Sequence, residues 1–304
     1  MITFWGFCVY EVCYFKIRLS WPRREVNSPS DYERKALDEI SAWRNPPRTW
    51  YSSAKEKAEM AWNDVTDVVR RVPGVEWTMD NVVAGLLNLT NEITQDSVWT
   101  DAVFKQFNDA GHRVETHTDI HGLDLEEVDK ISAGLGKKYT ALAAAEGAAT
   151  GLAGAAGIVP DLIALVSINL RAAGEYATYC GFEIANPEER LYALELLDQI
   201  ARPSTKAKDF TFAPAVRTAT RVARNQSAQA LEQMGLMNAI ERAARALGMK
   251  LTGAKLAQVI PVTGALIAGG FNAYYTSKVC RVARFLYRER FLMQKYGSDV
   301  VGTA

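Results

Sequence analysis

Apolar residues recur along this chain at three- and four-residue spacing, and few segments alternate with the period of two that a half-buried strand requires. The pattern predicts an all-α fold, a multi-helix bundle built around Gly/Ala-rich apolar helical hairpins. Ser30 with Glu33 three residues on makes an S-x-x-E capping box, which predicts a helix through about Trp43 before Asn45-Pro46-Pro47 stops it. Further helices are predicted over about 50–71, ended by Pro73-Gly74, over 78–93, over 98–118 and, after Gly122, over 123–139. Pro160 suits the first turn of a helix running to about Gly181, and Asn186-Pro187 opens another through Ala201. Residues 214–248 read as one or two amphipathic helices, 252–260 as a short one and 261–295 as a long terminal one.

Two stretches depart from ordinary amphipathic spacing. Residues 141–170, ALAAAEGAATGLAGAAGIVPDLIALVSINL, form a largely apolar stretch whose only charged residues are Glu146 and Asp161. A carboxylate near the centre of a bilayer is costly, so the segment fits a helical hairpin buried in protein or one that inserts into lipid with its acids paired or neutralised. Gly147, Gly151, Gly154 and Gly157 are its candidate helix-packing positions. Gly147 and Gly151 form a G-x-x-x-G pair that lets two backbones approach closely. Glycine inside a helix costs roughly 1 kcal/mol against alanine, so its repetition implies a compensating contact.

The second stretch lies between Lys255 and Lys278, with 22 uncharged residues. That length meets the bare criterion for a span, although Gln258, Thr263, Asn272 and Thr276 make it unusually polar for one. A basic flank follows. Its Arg281, Arg284 and Arg288 stand at i, i+3 and i+7 on one helical face, with Phe285, Tyr287 and Phe291 elsewhere on the surface. Such a face suits anionic lipid headgroups, which makes these three arginines the candidate membrane- or anion-binding residues. It equally suits pairing with an acidic surface of the same protein.

The wording of the first stretch resembles the EcsC family, bacterial proteins named after the third gene of an ABC-transporter operon. The resemblance is carried by Glu146-Gly147-Ala148-Ala149-Thr150-Gly151, Gly154, Gly157 and Ile158-Val159-Pro160-Asp161-Leu162. It continues through Asn169-Leu170-Arg171, Glu175-Tyr176-Ala177, Tyr179-Cys180-Gly181-Phe182 and Asn186-Pro187-Glu188-Glu189-Arg190, and resumes over 255–265. The opening Tyr32-Glu33-Arg34-Lys35-Ala36-Leu37 and Trp43 are similar too; 45–120 resembles the family loosely, and Cys180 departs from the apolar or small residue expected there. The resemblance implies an all-helical, membrane-associated bacterial protein and supplies no reaction.

At 304 residues with 48% apolar content the chain can bury a large core, as one large or two modest domains. The expected division is an apolar N-terminal extension over 1–29, interfacial or upstream of the true start, a helical domain over 30–295 and a flexible tail over 296–304. Met1 to Phe15 lacks a basic n-region and a cleavage site, so it is not read as a signal peptide. Formal net charge is zero, yet from residue 201 onward 16 Lys plus Arg face 5 Asp plus Glu. The basic C-terminal third therefore meets an anionic partner or the acidic remainder of the chain. Cys8, Cys13, Cys180 and Cys280 show no metal-ligand spacing, and a reducing cytoplasm is the default setting.

Candidate chemistry is sparse. Glu146 and Asp161 converge if the hairpin folds back sharply, as paired carboxylates for acid/base work or for a divalent cation, and Glu175 returns to nearly the same face as Asp161. Asp161 and Glu175 are still about 21 Å apart along one helix. Asp161 also suits the helix dipole where it stands, and Arg171 suits an i, i+4 ion pair with Glu175. His117 and His121 stand at i, i+4 but lack a third ligand, so with His112 they read as a solvated polar loop rather than a zinc site. No cofactor or metal is called for, and the glycine run without a preceding strand or a Walker lysine is a poor nucleotide site. The favoured reading is a membrane-associated accessory protein of the bacterial envelope or export machinery, peripheral or partly inserted on the cytoplasmic side. It would bind anionic lipid and an envelope or transporter protein, not nucleic acid. Two alternatives stay open: a membrane-proximal hydrolase or cation-dependent enzyme using Glu146 and Asp161, and a pore-forming or membrane-perturbing protein.

Overall fold

The computed structural model describes residues 28–45, 98–152, 157–201 and 264–297, with isolated positions beyond them. The described residues are helical throughout, joined by turns, with no strand among them. In chain order the elements are α1 (Asp31–Arg44), α2 (Val98–Asp109), α3 (His117–Ile120), α4 (Leu125–Ile131), α5 (Leu135–Gly151), α6 (Ile158–Tyr179), α7 (Pro187–Ile200) and α8 (Gly264–Tyr296). The helices predicted over 50–71, 78–93, 214–248 and 252–260, the extension over 1–27 and the tail from 298 lie outside the described residues, apart from isolated positions.

Where local chemistry sets a boundary, the structure follows it. Ser30 Oγ accepts from the Glu33 backbone N–H at 3.2 Å, and Glu33 Oε2 accepts from the Ser30 backbone N–H at 3.0 Å, closing the capping box of α1. Pro187 opens α7 behind Asn186, its missing N–H being one the first turn leaves unbonded anyway. The 98–118 expectation fails at Gly111. There φ is +90°, and the His112 N–H reaches back to the Phe107 carbonyl at 3.0 Å, ending α2 early. The Asn108 side chain then clamps both backbone groups of Val114. Gly134 at φ +88° likewise divides the expected 123–139 helix into α4 and α5.

The apolar stretch 141–170 becomes two helices, α5 and α6, with Gly157 as the N-cap of α6. From Leu162 to Cys180, α6 is buried on most of its circumference, with Leu165, Val166, Ala172, Ala173 and Ala177 fully enclosed. It is apolar nearly all round because α5, α7, α8 and α2 surround it. The 33-residue α8 runs the length of the bundle, and its most extensive partner is α5, whose Gly136, Ala143 and Gly147 let the backbones come close. Among the described residues no helix is long and apolar enough to cross a membrane.

Ion pairs attach α1 to this core. Glu33, fully buried, accepts hydrogen bonds from Lys295 Nζ at 2.8 Å, from Tyr296 Oη at 2.5 Å and from the Leu125 N–H at 3.4 Å. Arg44 pairs with Glu289, and Trp43 stacks on Phe285 with ring centroids 4.9 Å apart. At the other end of α6, Arg290 forks onto both oxygens of Glu189 while lying 4.0 Å from the ring centroid of Phe182 and 4.4 Å from that of Tyr192. Among the described residues of the basic C-terminal third, Arg290 and Lys295 are thus paired with carboxylates of the same chain.

Candidate functional site

The fold-back of α5 onto α6 brings Glu146 and Asp161 to one point. Asp161 sits in the first turn of α6, only 4% exposed, and Oδ1 accepts from Thr150 Oγ1 at 2.7 Å and from Asn272 Nδ2 at 2.8 Å. The same amide nitrogen donates to Glu146 Oε2 at 2.9 Å. Three helices thus meet at a buried amide between two carboxylates. Asn272 stands in the uncharged stretch before the basic flank; its only sequence signal was a polar residue interrupting an apolar run. Deeper along α6, Asn169 Nδ2 donates to Thr276 Oγ1 at 3.1 Å, extending the polar contact between α6 and α8.

Glu175 takes no part in that cluster. Its carboxylate accepts from Lys138 Nζ at 3.0 Å and from Tyr139 Oη at 2.7 Å, both on α5. The expected Arg171 pairing gives way to this one, because α6 turns Glu175 inward against α5 while Arg171 stays exposed. Of the packing glycines, Gly147 is buried within α5, Gly151 ends that helix, Gly157 caps α6 and Gly154 lies outside the described residues.

The three arginines of α8 have separate fates. Arg288 is 3% exposed and bridges Glu39 and Asp129, each at 3.1 Å, so it is an interior ion-pair residue and not a surface contact for lipid. Arg284 is half exposed, 3.6 Å from Asp129. Arg281 is exposed. The physical reason is that α1 and α4 bring carboxylates over the C-terminal half of α8 and leave the preceding turn bordered by α5.

Beside Arg281 the surface opens into a groove of about 720 Å³ between α5 and α8. Its charged residues are Lys137, Arg281 and Arg284, and no carboxylate lines it. Lys137 and Arg281 have no ion-pair partner among the described residues. Thr140, Ser277 and Tyr176 supply hydroxyls, while Ala141, Ala144, Cys280 and Phe285 supply apolar wall. Gly136 keeps the floor open: a Cβ there would stand 3.4 Å from Tyr176 Oη and 3.6 Å from Cys280 Cβ. Burial pushes the Cys280 thiol up to about 12, so it is inert wall and not a nucleophile. In the sequence nothing distinguishes Lys137 from the adjoining Lys138, whose side chain goes to Glu175 instead.

The histidines depart from the solvated-loop expectation. His117 packs edge-on against Phe104 and His121 against Phe182, because buried Ile120 draws α3 onto the aromatic wall. Burial lowers both imidazoles below the usual 6.5. Among the described residues there is no group of three or more His, Cys, Asp or Glu placed to hold a metal ion.

Comparison with known proteins agrees with the local wording of the hairpin. The chain is 22% identical over 181 residues to the uncharacterized protein YdbA of Bacillus subtilis (strain 168), an alignment covering 60% of this chain and 64% of that one, so just under two thirds of the relative is spanned. No solved structure matches. The profile of the EcsC protein family matches residues 34–292, which takes in α1 through most of α8, and the chain belongs to that family.

Proposed function

We propose that this EcsC-family chain is a membrane-associated accessory protein of the bacterial envelope or export machinery, acting by binding an anionic lipid surface and a protein partner on the cytoplasmic side. The observation that carries the reading is the α5–α8 groove. Two cations without internal partners and a third only loosely held border a cleft that no carboxylate enters. Elsewhere among the described residues, Arg288, Arg290 and Lys295 are each paired with a carboxylate. Cations left open at one place, beside apolar wall, match the charge and polarity of a lipid headgroup region.

Co-sedimentation with phosphatidylcholine vesicles, with and without phosphatidylglycerol, tests this. Binding is expected to require the anionic lipid and to fall as salt rises above 0.1 M, where screening shortens to about 10 Å. At roughly 1 kcal/mol per cation near an anionic surface, Lys137→Ala with Arg281→Ala should weaken vesicle binding about 25-fold. Equal binding to neutral and anionic vesicles overturns the reading.

A second reading, an enzyme using Glu146 and Asp161, draws on their convergence at Asn272. Asp161→Asn separates the two. In the accessory reading the variant loses about 1–3 kcal/mol, the cost of disturbing a buried hydrogen-bonded acceptor, and still complements a deletion strain. A variant of unchanged melting temperature that fails to complement replaces the accessory reading with the enzyme.

A further inference from the structure

We infer that the α5–α8 groove is a site for one molecule of a phosphate-bearing amphiphile, with the phosphate held by Lys137, Arg281 and Arg284 and the acyl chain leaving along the exposed flank of α5. The inference rests on the membrane reading above and goes further: a surface can be attracted to many headgroups at once, whereas a groove takes one.

The lining mixes two chemistries. Two guanidinium groups and an ammonium group border the cleft, and the anionic oxygens of a phosphate group can accept charge-assisted hydrogen bonds from several of these donors at once. Hydroxyls of Thr140, Ser277 and Tyr176 add donors on the same cleft. Tyr176 is 7% exposed, and its hydroxyl has no hydrogen-bond partner among the described residues. A buried aromatic normally finds its hydroxyl a partner, and here the groove is the open direction. Arg284, beside Asp129, is oriented from behind.

Apolar wall is supplied by Ala141 and Ala144 on α5 and by Phe285 on α8, whose ring stacks on Trp43. A volume of about 720 Å³ is within the usual range for a small-molecule site. It is too small for a whole two-chain phospholipid, so the tail must continue outside. The exposed flank of α5 offers it a path, since Leu142, Ala145, Ala149 and Leu152 are spaced i, i+3, i+7 and i+10 and all are exposed, Leu142 at 48% and Leu152 at 81%. An exposed apolar stripe on the helix that walls a cationic cleft, next to its lining residue Ala141, suits the tail of an amphiphile.

The experiment uses the full chain and dihexanoyl phosphatidylglycerol below its micelle concentration, titrated by calorimetry. Inorganic phosphate and dihexanoyl phosphatidylcholine serve as head-only and neutral-head probes, and the vesicle assay is run in parallel. Saturable one-to-one binding of the anionic lipid is expected, at least tenfold tighter than either comparison probe. Arg281→Ala should weaken it roughly fivefold, the equivalent of about 1 kcal/mol per cation. Ala141→Phe, which fills the groove from an exposed position and removes no charge, should abolish it while circular dichroism and melting temperature stay unchanged. Inorganic phosphate binding as tightly as the lipid makes this an anion site and overturns the inference. Vesicle binding without monomer binding, or monomer binding untouched by Ala141→Phe, overturns it while leaving the membrane reading intact; loss of vesicle binding removes both.

Discussion

Glu33→Gln is the substitution whose consequence the structure specifies most closely. Glu33 lies three residues into α1, is fully buried, and holds three other parts of the chain: Lys295 and Tyr296 at the end of α8, the Leu125 N–H at the start of α4, and its own capping residue Ser30. Removing one partner of a buried ion pair costs about 3–5 kcal/mol when the other charge is stranded. Here Lys295 keeps Asp124 at 3.0 Å and the Leu123 carbonyl at 2.9 Å, and glutamine retains one acceptor oxygen. The loss should therefore be near about 2–3 kcal/mol, or roughly 5–10 °C in melting temperature for a protein of this size. Its pH dependence is the sharper test. Burial alone raises the Glu33 pKa, but hydrogen bonds from Lys295, Tyr296 and the Ser30 backbone outweigh it and hold the carboxyl below the ordinary 4.5. A folded pKa below the unfolded one contributes stability that is complete above 4.5 and lost as pH falls through the folded value. Urea unfolding of both proteins from pH 7 to pH 3 should show a gap that is full at neutrality and narrows below pH 4.5. A gap that persists unchanged to pH 3, or glutamine as stable as glutamate at pH 7, would refute the role assigned to the carboxylate.

Gly181→Ala should cost more than about 2 kcal/mol in urea unfolding, since φ is +79° there and a Cβ would lie 2.6 Å from His121 Nε2 and 2.7 Å from the His117 carbonyl; near-neutral stability would mean that α3 does not sit over the end of α6. Because burial depresses His117 and His121, the unfolded chain binds more protons, so stability should be complete above pH 6.5 and decline as pH falls below it. Imidazole resonances titrating at or above 6.5 in the folded protein would contradict this. Arg290→Lys keeps the charge but loses the fork onto Glu189 and the stacking on Phe182 and Tyr192, so a loss of about 1–3 kcal/mol is expected in thermal unfolding; an unchanged melting temperature would show that charge alone matters there.

Helix class and several boundaries were legible in the sequence because their causes are local. The Ser30–Glu33 box, Pro187 behind Asn186 and Pro160 in the first turn of α6 act through residues within one turn of themselves, and the apolar hairpin announced that its two carboxylates needed company. Gly111 and Gly134 were as local but silent, since a glycine letter does not state the sign of its φ. Periodicity placed Arg281, Arg284 and Arg288 on one face and stopped there. Which of them is interior depends on Glu39, 249 residues from Arg288 in sequence, and on the docking of α1 and α4. Asn272 joins Asp161 across 111 residues, and Lys137 departs from its neighbour Lys138 only because α6 offers Glu175 to one of them. A helical repeat fixes direction around an axis, while the partner met in that direction is decided by packing, which is why the groove and its unpaired cations are properties of the tertiary structure alone.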